Sequence, residues 1–66
     1  MDYYFLNNKP QSNGDHEVHK EDCQHLPEDR TYLGFFASCN EAVAEAQKKH
    51  PQSNGCKVCA YSCHTN

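Results

Sequence analysis

A chain of 66 residues leaves room for one small domain, spanning residues 1–66. Leu, Val and Phe supply three residues each and Ile none, a core that can contribute only about 3–5 kcal/mol, so a further staple is expected. With six Lys and Arg against nine Asp and Glu, the net charge of −3 disfavours a phosphate-binding face, and no apolar run approaches the roughly 20 residues that cross a bilayer.

Tyr3-Tyr4-Phe5-Leu6 reads as a short aromatic strand. Asn7 to Gly14 is dense in turn formers, with Asn13-Gly14 the strongest reversal, so His16-Glu17-Val18-His19 is expected to return as the second arm of a hairpin. His16 and Val18 then share one face, and Glu17 and His19 the other. After an irregular run through Pro27, Tyr32 to Phe36 forms a third strand, whose apolar residues on both faces suggest cover on both sides.

Ser38-Cys39-Asn40-Glu41 fits a capping box, opening a helix expected over residues 39–50 and stopped by Pro51. Ala42, Val43, Ala46 and His50 follow at helical spacing. Gln52 to Gly55 reads as a turn; PQSNG here repeats Pro10–Gly14 without matching flanks, so two similar turns are expected. Cys56 to Cys63 is expected to form a short helix, and Thr65 and Asn66 to fray. The class is α+β: about three short antiparallel strands, one main helix and a short C-terminal CxxC helix.

Five cysteines and five histidines supply the staple. Met1 to Leu6 does not read as a secretory leader, so a reducing, cytoplasmic setting is expected, where structural disulfides are rare. Five thiols are also an odd number for a disulfide framework. Metal is therefore the expected staple. Cys56-Lys57-Val58-Cys59 is a CxxC after an Asn-Gly turn, and His19-x-x-x-Cys23 offers a second half-site. Three thiolates and one imidazole close a structural Zn²⁺ shell, which makes His19, Cys23, Cys56 and Cys59 the preferred ligands. Cys63 is the rival fourth donor, because a helical Cys56–Cys63 would align Cys56, Cys59 and Cys63 on one face; His64 is a weaker option, read as a solvent-exposed tail residue. Cys39 reads either as a reactive thiol at a helix N-terminus or as a small packing residue, the second being the commoner case.

The order of Val18-His19-Lys20-Glu21-Asp22-Cys23, Leu33-Gly34-Phe35-Phe36-Ala37-Ser38, Glu41-Ala42 and Cys56-Lys57-Val58-Cys59 resembles the Ada-type metal-binding domain of DNA-repair proteins over roughly residues 3 to 60. The resemblance implies a small zinc fold with a sheet packed between helices, and favours His19 over Cys63. His19 stands where the repair protein has its methyl-accepting cysteine, so methyl acceptance does not carry over. No catalytic constellation is recognisable, and saturated ligands leave no open position for metal-assisted hydrolysis. The expectation is a non-enzymatic binding module with a protein partner, Tyr3, Tyr4, Tyr32 and Tyr61 marking the surfaces to inspect. A nucleic-acid-associated module and a thiol-redox protein using Cys39 or Cys63 are the alternatives.

Overall fold

The computed structural model describes residues 1–65. Strands β1 (Asp2–Asn7), β2 (His16–Lys20) and β3 (Arg30–Phe36) lead into helix α1 (Cys39–Gln47), then β4 (Ser53–Gly55) and a 3₁₀ turn over Tyr61–Cys63. The sheet order is β3-β1-β2-β4, with β2 and β4 parallel and the other pairings antiparallel. The α+β class agrees with expectation; the strand number and the all-antiparallel sheet do not.

The hairpin forms as its turn residues dictate. The Asn13 side chain accepts from the Asp15 amide at 2.9 Å, and the two arms meet with Leu6 opposite Val18 and Phe5 opposite His19. Alternation then sends Tyr4, Leu6 and Val18 to one face, where all three are buried. Helix α1 crosses that face from the β3 side of the sheet to β4, burying Cys39, Ala42 and Ala46, with Leu33, Phe36 and Val43 packed around them. Small alanines line the buried stripe, and six large residues, Tyr4, Leu6, Val18, Leu33, Phe36 and Val43, complete the core between helix and sheet. Tyr4 belongs to this core, not to a partner surface.

Strand β3 is not covered on both sides. Its register with β1 slips between Tyr4 and Phe5, so Tyr4 faces Gly34 while Phe5 faces Tyr32, leaving Leu33 as an extra residue. The bulge resets the alternation. Tyr32 and Phe35 both join Tyr3 and Phe5 on the outer face, where Tyr3 (46 % exposed), Tyr32 (55 %) and Phe35 (47 %) remain open to solvent. Ring centroids there lie 4.7 Å apart for Tyr3–Phe35 and 5.4 Å for Phe5–Tyr32, and the Arg30 guanidinium sits 5.2 Å from the Phe5 centroid. Gly34 permits the bulge: it adopts φ +141°, and a Cβ there would come within 2.9 Å of the Phe36 ring.

Four local expectations change. The helix ends at Gln47 rather than at residue 50, its last turn closed by the amides of Lys49 and His50 on the Ala46 carbonyl. The capping box is half made: Glu41 reaches back to accept from the Ala37 amide at 3.1 Å, but the Ser38 side chain caps nothing. The last three residues of the second PQSNG form strand β4, with the His16 amide donating to the Gln52 carbonyl and the Cys56 amide to the Val18 carbonyl on either side of it. One pentapeptide thus takes two structures according to its neighbours. Thr65 does not fray, since its amide donates to Asn54 Oδ1 at 3.1 Å; Asn66 lies outside the described residues.

Candidate metal centre

His19, Cys23, Cys56 and Cys59 converge at the end of β2, one ligand atom from each lying within 4.8 Å of all the others. Each arrives by a local device. His19 is fixed by β2, facing away from the α1 side of the sheet. A tight turn, with the Cys23 amide donating to the Lys20 carbonyl at 3.1 Å, brings Cys23 back beside it. Cys56 follows β4 directly and is held by its amide on Val18. The chain then turns rather than forming a helix, with the Ala60 amide on the Cys56 carbonyl at 3.0 Å, and this swings Cys59 towards Lys20.

The sulfurs are spaced for a shared ion. Cys23 and Cys56 Sγ lie 4.0 Å apart, close to the roughly 3.8 Å expected for two ligands of a tetrahedral ion with bonds of about 2.3 Å, and well beyond a disulfide bond. Each thiol also accepts one backbone amide: Cys59 from Lys20 at 3.2 Å, Cys23 from His25 and Cys56 from Val58, both at 3.4 Å. Amide donors favour a thiolate over a thiol, and they orient the sulfur lone pairs. They do not suffice alone. Burial pushes the Cys59 thiol up to about 12, the neighbouring Cys23 and Cys56 adding to the rise against the Lys20 amide. Three thiolates at this spacing would need a cation among them.

His19 supplies the second sign. It is 1 % exposed, and neither ring nitrogen has a hydrogen-bond partner. Glu17 Oε1 stands 3.4 Å from Nε2, the neighbour that strand alternation assigns it. Burial lowers the His19 pKa, against a smaller opposing pull from Glu17, so the imidazole is neutral at physiological pH and able to donate a lone pair. An unpartnered buried imidazole costs about 1–3 kcal/mol. A metal bond would remove that cost, so the donors fit an ion.

Cys63 is not the fourth donor. It forms a disulfide with Cys39, the first residue of α1. Because Tyr61–Cys63 is a separate 3₁₀ turn, Cys56, Cys59 and Cys63 do not share one helical face. The reading of Cys39 as a reactive free thiol is corrected with it, as is the expectation of metal in place of a disulfide, while its packing under the helix holds. The signal was present in the arithmetic: three ligand cysteines plus one pair account for all five. His64 is not a donor to the cluster either; its Nδ1 lies 3.1 Å from the Gly55 carbonyl oxygen.

Against protein-family models, curated proteins and solved structures, the chain matches none. The reading therefore rests on the geometry. Among the described residues, no helix is long and apolar enough to cross a membrane.

Proposed function

We propose that this chain is a structural-zinc module, one Zn²⁺ being held by His19, Cys23, Cys56 and Cys59, and that it acts by binding rather than by catalysis. The observation that carries the reading is the buried His19 imidazole, without a hydrogen-bond partner, beside three clustered thiols. Three sulfurs and one nitrogen suit zinc over the harder cations, which prefer oxygen. When bound, the ion would supply charge neutralisation and a cross-link between the hairpin and the C-terminal segment. The protein's residues do the rest: amides hold the sulfurs, Glu17 neighbours the imidazole, and β2 and β4 set the spacing. The Ada-type resemblance implies the same four ligands, with an imidazole where methyl acceptance would need a thiolate.

The outer sheet face is the surface we assign to a protein partner, since Tyr3, Tyr32 and Phe35 stay about half exposed in one contiguous group. No compartment is assigned, because the Cys39–Cys63 disulfide removes the ground for expecting a reducing one. Native mass spectrometry of the full chain tests the metal reading. One zinc per chain, released by chelation with a shift towards the higher charge states of a loosened chain, is the expected result. A compact chain whose mass and charge states ignore both zinc and chelator would overturn it.

A further inference from the structure

The stretch from Cys56 to Cys63 carries two different cross-links. Cys56 and Cys59 bring it to the donor cluster beside β2, and four residues later Cys63 bonds it to the start of α1. Little slack separates the two. The Ala60 amide donates to the Cys56 carbonyl at 3.0 Å and the Cys63 amide to the Ala60 carbonyl at 2.9 Å. Behind them, β4 packs without a gap: a Cβ on Gly55 would stand 2.8 Å from both Cys63 Cβ and the Ala60 carbonyl oxygen. Where Cys63 is pinned therefore decides where Cys59 points.

Each sulfur of the disulfide also has a polar neighbour. Asn40 Oδ1 lies 3.2 Å from Cys63 Sγ and Ser62 Oγ lies 3.5 Å from Cys39 Sγ, so both thiols would find polar partners already in place. A hollow of about 520 Å³, lined by Ser38, Cys39, Asn40, Cys59 and Ser62 among others, reaches Cys39 and Cys59 alike. The hollow is lined by Cys39 and not by Cys63, so it offers an approach to the Cys39 side of the disulfide.

We propose that Cys39–Cys63 is a redox latch on the metal site: the oxidised pair holds the CxxC turn in ligand geometry, and reduction by a dithiol weakens metal binding. This rests on the metal reading above. In the reducing step, one thiolate of the dithiol attacks Cys39 Sγ, the S–S bond breaks, and Cys63 leaves and takes a proton. The second thiol of the reductant then displaces Cys39, which takes the other proton. Two electrons pass to the protein and the reductant leaves as a disulfide. Metal binding includes ordering the loop, and the latch removes part of that cost beforehand, so the two events are linked reciprocally.

The test uses the full-length chain, oxidised and after dithiol reduction with the dithiol removed under anaerobic conditions. Competition against a chromophoric chelator measures Zn²⁺ affinity in each state. A strong coupling between two sites is on the order of 100-fold, so a loss of about that size is expected on reduction, and equal affinities would overturn the latch. By reciprocity, saturating Zn²⁺ should lower the disulfide's midpoint potential by about 60 mV, the equivalent of that 100-fold. Intact mass after alkylation reads this without requiring the reduced chain to fold; a potential indifferent to Zn²⁺ refutes the proposal. The Cys39→Ala/Cys63→Ala double variant should bind Zn²⁺ like the reduced chain, and binding like the oxidised chain would contradict the latch. Zinc uptake by neither state would remove the metal reading itself, and the latch with it.

Discussion

Replacing His19 with leucine separates a metal ligand from a buried histidine, because the two accounts predict opposite signs. Leucine has nearly the volume of histidine, so the 1 % exposed site can accept it with little change in packing. Without metal, the substitution removes a buried imidazole whose two nitrogens make no hydrogen bond. Relief of roughly 1–3 kcal/mol is then expected. For a domain of this size, each kcal/mol moves the melting temperature by about 4–8 °C, so the metal-free variant should melt higher than the metal-free parent. With Zn²⁺ present the order inverts. The parent gains the free energy of a four-donor site, while the variant keeps three thiols and an open position, and should fall several kcal/mol behind. Thermal melts of both chains, each with chelator and with one equivalent of Zn²⁺, give the four numbers needed. A variant that is less stable than the parent by the same margin in both conditions would refute the reasoning, since His19 would then be a packing residue.

The metal-free chain should lose stability at both ends of the pH scale. His19 is depressed below its ordinary 6.5, chiefly by burial, so the unfolded chain takes up the proton first and stability falls as pH drops below that value. Cys59, raised to about 12 from 9.0, contributes stability that is lost as pH rises above 9.0 through its folded value. Urea midpoints measured across the range, with chelator present, check both signs, and a midpoint flat below pH 6.5 would contradict the first. Gly55→Ala places a methyl group against backbone and against Cys63 Cβ at 2.8 Å, so a loss of about 1–3 kcal/mol is expected, with weaker zinc retention in chelator competition. Reducing Cys39–Cys63, whose partners are 24 residues apart, should destabilise the zinc-free chain by about 3 kcal/mol in urea unfolding, by the loop-closure argument.

The four donors were legible because their signals are local. CxxC after an Asn-Gly turn and HxxxC at a strand end specify spacing within a few residues, and the structure needed only to bring two half-sites together. Cys39–Cys63 was not legible by the same means, since the contact depends on the path of α1 across the sheet, which no short motif encodes. Read locally, Cys39 is a helix-start residue and Cys63 the third member of a cysteine run. Strand β4 was missed for a related reason: Ser53–Gly55 has turn composition, and only flanking hydrogen bonds to β2 and its neighbours make it a strand. At Tyr32 to Phe36 the pattern was seen and misassigned. Apolar residues on both faces came from a bulge at Leu33, which Gly34 in the same run signals to a reader who expects one.

X-ray absorption at the zinc edge of the purified, zinc-loaded chain tests the central claim most directly. The account predicts a four-coordinate shell of three sulfurs at about 2.3 Å and one imidazole nitrogen at about 2.0–2.1 Å, the nitrogen contribution vanishing in His19→Leu. A shell of oxygen donors, or an unchanged nitrogen signal in that variant, would contradict it.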